Sequence, residues 1–165
     1  MSKEKSFKAY KETSKESSFQ KSGVEPFWKT KKMSEMTQDE WESLCDRCGK
    51  CCLVKAGTFC IHFTKMSCPL LDIKTACCRH YENRHDFVPD CIKLTPKNLR
   101  SCRKWLPKTC SYLWVLKKKT LPPWHPFISG KKNSVHTMGI SVKDRAVPYQ
   151  ENVSLKDFIV QWDDL

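Results

Sequence analysis

Hydrophobic residues recur at helical spacing in only a few short stretches of this chain. Between them, prolines, charges and cysteines alternate without a clear period. The plainest start signal is Thr37, followed three residues later by Glu40. A Thr-x-x-Glu pair closes two reciprocal hydrogen bonds at a helix N-terminus. Trp41, Leu44, Cys45 and Cys48 then fall at i, i+3, i+4 and i+7, on one helical face. The spacing predicts a helix that buries Trp41 and Leu44 and delivers Cys45 near its C-terminal end. Gly49 follows, free to turn the backbone with positive φ. A second helix is expected over residues 110–119, capped by Thr109, with Tyr112, Leu113 and Leu116 packing inward. Its lysines 117, 118 and 119 suit the negative end of the helix dipole. Residues 121–126 (LPPWHP) are expected to be extended, because each proline restricts the residue before it. Residues 139–142 (GISV) read as a short strand. Ser154 is a candidate cap for a last helix over 155–162.

Residues 1–24 are rich in Lys, Ser and Glu. Such a composition buries too little apolar surface to offset ordering entropy, which predicts a disordered, solvated arm. The folded domain is expected over 25–165, starting near Glu25, Pro26, Phe27 and Trp28. Between Leu53 and Pro107 the weak periodicity points to loops and short helices held by something other than a large apolar core. The expected fold class is therefore mainly α with irregular loops, a small cysteine-rich domain stabilised by metal. No internal repeat is visible, and no apolar run approaches the roughly 18 residues that span a bilayer.

The chain has 165 residues, of which eleven are cysteine. A short secreted chain of this kind suggests a disulfide scaffold. Here the N-terminus lacks the apolar segment of a secretory signal, and the odd count leaves a thiol unpaired. Adjacent pairs at Cys51-Cys52 and Cys77-Cys78 also bond poorly to each other. Free thiols or thiolate ligands in the cytoplasm are the expectation. Formal net charge is +12. Eight metal-bound thiolates with two divalent ions would reduce it to about +8, and part of the remainder sits on the N-terminal arm.

The stretch LCDRCGKCCL, residues 44–53, holds four thiols. Cys45-x2-Cys48-Gly49-x-Cys51 has the form of a metal knuckle: two intervening residues let both thiolates reach one ion at ~2.3 Å. Structural zinc wants four such ligands in a closed tetrahedron. Iron–sulfur clusters also take four thiolates, and C-x2-C-x2-C opens one bacterial ferredoxin run. The x3 spacer and C-P ending of that run are missing locally, although Cys68-Pro69 is a remote match. Both chemistries stay open. Cys45, Cys48 and Cys51 are expected to share one site. Neighbouring residues of an extended backbone point to opposite sides, so Cys52 is free to turn to a second.

Several motifs together resemble a known family. They are Leu44-Cys45-Asp46-x-Cys48-Gly49-x-Cys51-Cys52, Cys68, Cys78-Arg79-x-Tyr81, Pro89-Asp90-Cys91 and Trp105-Leu106-Pro107-x-Thr109-Cys110. Leu121-Pro122-x-Trp124-His125-Pro126 and Ile140-Ser141-Val142 complete the order. In this order they resemble the YcgN-like bacterial cysteine-cluster proteins, within the wider group of CxxCxxCC zinc- or iron-chelating domains. The resemblance covers roughly residues 25–160. It implies metal chelation, a bacterial cytoplasmic origin and no established reaction. It also sorts the thiols. Cys45, Cys48, Cys51, Cys52, Cys68, Cys78, Cys91 and Cys110 fall on the family pattern, enough for two four-thiolate sites or for one cluster with spare thiols. Cys60, Cys77 and Cys102 fall off it.

His125 and His136 also match family positions and are secondary candidates for ligation or proton transfer. The rival for each is a hydrogen-bonded histidine in a packed loop. Asp46 and Asp90 each neighbour a pattern cysteine, as acceptors that orient ligands or, more simply, as loop caps. From Cys91 to Lys119 there are nine Lys or Arg and no acidic residue, with Trp105, Tyr112 and Trp114 interleaved. That arrangement allows a nucleic-acid surface, but a solvated basic face beside anionic thiolates is favoured, since no nucleic-acid motif is present. No phosphate loop or dinucleotide fingerprint occurs.

The leading functional reading is a cytoplasmic protein that chelates zinc or iron through clustered thiolates. The first alternative is an iron–sulfur redox or electron-transfer protein, and the second a basic zinc module that binds nucleic acid. Metal ions are the expected partners, and no membrane is.

Overall fold

The computed structural model describes residues 25–165. The arm expected over 1–24 lies outside the described residues. Pro26 opens α1 (Phe27–Thr30), which buries Trp28. The Thr37 signal is realised as expected in α2 (Gln38–Ser43). The Thr37 hydroxyl accepts from the Glu40 N–H at 3.2 Å, and the Glu40 carboxylate accepts from the Thr37 N–H at 2.9 Å. This helix ends just before Leu44 and hands the chain to the cysteine loop.

A hairpin then forms where only loops and helices were expected. Strand β1 (Leu53–Ala56) pairs antiparallel with β2 (His62–Ser67), in the register Leu53 with Ser67 and Ala56 with His62, with one irregularity after Leu53. A second antiparallel pair joins β3 (Leu71–Asp72) to β4 (Cys77–Cys78). Five short helices follow: α3 (Arg84–Phe87), α4 (Leu99–Cys102), α5 (Ser111–Leu116), α6 (Pro126–Ser129) and α7 (Ser134–Thr137). The expectation of a mainly α fold is thus corrected. Among the described residues no helix exceeds six residues, and two small antiparallel sheets carry the middle of the chain. Helices this short do not hold by propensity; tertiary packing supports them.

Other expectations are corrected in the same way. Helix α5 is shorter than residues 110–119. Its N-cap is Cys110, without a side-chain cap bond, because the Thr109 hydroxyl is used elsewhere. The LPPWHP segment is not extended throughout: the His125 N–H donates to the Pro122 carbonyl at 2.9 Å, closing a turn. Pro126 then opens α6, where a missing N–H costs nothing. Residues 139–142 form no strand. Gly139 has φ +68, and the Val142 N–H donates to the Cys48 carbonyl at 2.8 Å instead of to a sheet. The last helix is only a 3-10 turn, Leu155–Phe158, and Ser154 makes no side-chain cap bond.

Two apolar clusters result. The first gathers Trp28, Trp41, Leu44, Leu99, Leu106, Tyr112, Leu113, Val115 and Leu121, from both ends of the sequence pattern. Trp41 is fixed in it by its Nε1–H, which donates to the Leu94 carbonyl at 3.1 Å. The second is smaller, with Leu53, Leu71, Ala76 and Val142 buried and Phe63, Ile73 and Trp162 packed against them. The cysteine loop runs from the edge of one cluster to the edge of the other.

Candidate metal centre

Two left-handed residues shape the loop after α2. Arg47 has φ +59 and Gly49 φ +75. Only glycine fits the second, because a Cβ there would stand 2.7 Å from Val142 Cγ2. Asp46 is buried and acts as a brace. One carboxylate oxygen accepts from the Cys48 N–H at 3.1 Å and the other from the Trp124 indole N–H at 2.8 Å. The Asx turn is the capping role, and it ties the Cys45–Cys48 turn to the LPPWHP segment. Asp90, by contrast, is exposed.

The loop then enters a 3-10 turn, Lys50–Cys52. Lys50 is fully buried. Its Nζ forms an ion pair with the Asp164 carboxylate and donates to the Asp164 carbonyl at 3.1 Å and to Thr109 Oγ1 at 3.3 Å. Thr109 in turn donates to the same carbonyl at 2.7 Å. Arg145 holds both Asp164 carboxylate oxygens, Oδ2 at 2.8 Å, shared with Lys50, and Oδ1 at 2.9 Å, and lies 3.9 Å over the Trp162 ring. Burial alone would raise the Asp164 carboxyl, but the Arg145 and Lys50 hydrogen bonds and charges bring it down to about 2.

The eight pattern cysteines form one electrostatic neighbourhood. The Cys51 thiolate is felt by Cys45, Cys48, Cys52, Cys78, Cys91 and Cys110. Cys68 is felt by Cys52, Cys78 and Cys91, and its N–H donates to the Cys52 carbonyl at 2.7 Å. Burial, then the Asp46 and Cys51 charges, push Cys45 and Cys48 well above the usual thiol range. Burial, followed by Cys51, takes Cys110 up to about 12. Cys51 moves the other way, to about 6, mainly through its contact with Cys52 and then the Lys55 ammonium. Sγ of Cys51 and Sγ of Cys52 are 4.0 Å apart.

Packing divides this neighbourhood. Cys45 and Cys110 lie against the first apolar cluster, and Cys52 and Cys68 against the second. Two cations attend the outer thiols. Lys55 is set by bonds to the Cys51 and Leu53 carbonyls, at 2.5 and 2.8 Å, and feels Cys51, Cys52, Cys68 and Cys91. Arg84, buried beneath Tyr81, opposes with its charge the upward push that burial gives the Cys91 thiol.

The expected tight triad of Cys45, Cys48 and Cys51 is not found. Among the described residues no three His, Cys, Asp or Glu side chains stand close enough together to hold an ion. Cys51 and Cys52, the neighbours expected to turn apart, instead bring their sulfurs to 4.0 Å of each other. The 3-10 turn accounts for this, since opposite orientations belong to extended backbone only. Thiols suit a thiophilic cation in kind, but among the described residues they are not drawn into a coordination shell.

Both histidines are engaged by the protein. His125 is buried, and its Nδ1 accepts from the Phe127 N–H at 3.1 Å. Nε2 must then carry the proton that reaches the Leu44 carbonyl at 3.2 Å. His136 Nδ1 lies 2.8 Å from Ser141 Oγ. Of the off-pattern thiols, Cys60 is exposed, Cys77 donates to the Thr75 carbonyl at 3.4 Å, and Cys102 ends α4. Sequence reasoning missed Lys50, Lys55, Arg84 and Asp164. The available signal was a lysine enclosed by Gly49 and Cys51, inside the cysteine knuckle.

The architecture is that of a small cysteine-rich α+β domain. No family model matches the chain, and no solved structure matches it. Curated proteins do. A UPF0260 protein of Granulibacter bethesdensis is 49% identical over 140 residues, covering 83% of this chain and 84% of that protein. One from Klebsiella pneumoniae is 48% identical over 143 residues, covering 85% and 96%. The UPF0260 protein YcgN of Salmonella paratyphi A is 49% identical over 138 residues, covering 82% and 93%. The chain belongs to the UPF0260 family. Among the described residues no helix is long and apolar enough to cross a membrane.

Proposed function

We propose that this protein binds zinc or iron through its eight pattern cysteines, in two groups of four. Cys45, Cys48, Cys51 and Cys110 form the group on the first apolar cluster. Cys52, Cys68, Cys78 and Cys91 form the group on the second. The observation that carries the reading is electrostatic: the charge at Cys51 acts on Cys45, Cys48, Cys52, Cys78, Cys91 and Cys110, and that at Cys68 on Cys52, Cys78 and Cys91, thiols drawn from five separate stretches of chain. A bound cation supplies the positive charge that lets crowded, buried thiols ionise. The chain supplies the rest. Asp46 and Gly49 hold the loop backbone. Lys55 and Arg84 offset the excess negative charge that four thiolates leave around a divalent ion. His125 keeps Leu44 in place rather than ligating.

The test is elemental analysis for zinc, iron and acid-labile sulfide after anaerobic purification. Zinc without sulfide indicates structural sites. Iron with sulfide and a visible absorption band indicates a cluster. Cys48→Ser and Cys68→Ser should each lower the metal content, while Cys60→Ser, Cys77→Ser and Cys102→Ser should leave it unchanged. Metal far below one equivalent in the parent protein, or equal losses in both sets of variants, would overturn the proposal.

A further inference from the structure

A cleft of ≈ 610 Å³ that no cysteine lines lies between β2, α4, α5 and the C-terminal segment. Its floor is apolar, built by Phe63, Leu106, Leu113, Leu116 and Val160. Its rim carries Arg100, Arg103, Lys104, Lys108 and Lys117, and no Asp or Glu side chain lines it. The ion pairs among the described residues use Lys29, Lys31, Lys32, Lys50 and Arg145 and none of these five. The segment from Cys91 to Lys119 has no carboxylate to neutralise them. Five like charges around one opening repel one another, and an anion entering there relieves that repulsion.

We propose that this cleft is a binding site for a small amphiphilic anion, an apolar or aromatic body bearing a phosphate or carboxylate. The cationic rim selects the charged group and the floor takes the body. The size is that of a small-molecule pocket. A nucleic-acid strand fits less well, because base stacking needs open aromatic faces. Lys104 lies over Trp105 at 5.3 Å, Lys119 over Trp114 at 5.7 Å, and Lys55 over Phe63, the one ring of the six-membered kind in the floor, at 5.1 Å. The inference is independent of the metal reading, since no cysteine lines the cleft.

The experiment is a titration of the full-length protein with phenyl phosphate, followed by calorimetry and by backbone amide NMR shifts. Inorganic phosphate serves as the body-less comparison. Phenyl phosphate should bind saturably and at least about tenfold more tightly than inorganic phosphate, with shifts centred on Phe63, Leu113 and Leu116. The R100Q/R103Q variant should bind it at least about tenfold more weakly, and K131Q/K132Q, an exposed basic pair outside the cleft, should bind it as the parent does. The shift map of the parent stands even if a variant fails to fold. No saturable binding, equal weakening in both variants, or shifts elsewhere would overturn the assignment. So would a short single-stranded oligonucleotide that binds more tightly than phenyl phosphate and depends on Arg100 and Arg103.

Discussion

Replacing Asp164 with alanine strands a buried charge. Lys50 has no exposed surface, and the Asp164 carboxylate is its only ionic partner among the described residues. After the change, the ammonium keeps the residue-164 carbonyl and the Thr109 hydroxyl but no counter-charge. Removing one member of a buried pair costs about 3–5 kcal/mol, since the desolvation of the other is no longer compensated. That is a large fraction of the ~5–15 kcal/mol that holds a domain together. Lys50→Met is the informative contrast. It removes the charge along with the need for a partner and leaves Asp164 with Arg145, so it should cost below about 1.5 kcal/mol. Arg145→Gln, which breaks a half-buried contact, should fall near 1 kcal/mol. Urea denaturation of the three variants gives the ranking directly. If Asp164→Ala costs under about 1 kcal/mol, as an exposed ion pair does, or if Lys50→Met costs as much as Asp164→Ala, the reasoning is wrong.

The same carboxylate sets an acid limit. Its pKa falls from 3.8 in the unfolded chain to about 2 when folded, so its stabilisation is present above about pH 4 and is lost as pH falls through 2; Asp164→Ala should flatten that part of a stability–pH profile. His125→Ala leaves the Phe127 N–H and the Leu44 carbonyl unpaired, which should cost about 2 kcal/mol or more while metal content holds; lost metal with unchanged stability would make His125 a ligand after all. Gly49→Ala combines a left-handed backbone, ~1–2 kcal/mol, with the Val142 contact, and a urea midpoint equal to that of the parent would show that the loop can rearrange. Chelation under reducing conditions should abolish the cooperative thermal transition, because structural zinc contributes ~10–16 kcal/mol in small domains; a transition that survives would show that the two apolar clusters suffice.

Local signals in the sequence were reliable where the physics is local. Thr37 and Glu40 cap α2 because both partners lie within one turn. Asp46 caps its own loop for the same reason, and Gly49 takes the positive φ its place suggested. Non-local structure was harder to read. The β1–β2 hairpin hides because Lys55, Cys60 and Lys65 interrupt the apolar alternation, while β2 is also bridged through Thr64 to Ile159 and through Met66 to Val147, far along the chain. Thr109 looked like a cap and became a link to Asp164. Motif order singles out eight cysteines, but it does not fix how they are arranged. Whether Cys51 and Cys52 diverge depends on the turn they occupy, and residue types alone do not fix that turn.

The Lys50 clamp also orders events in time. Its two ends are separated by 114 residues, so on the ribosome the cysteine loop is complete long before the segment bearing Asp164 has been made. Until that segment emerges, Lys50 has no carboxylate to draw it inward and the loop's thiols lack the contacts that enclose them. The enclosure of Lys50 is therefore completed only after the last part of the chain has been made.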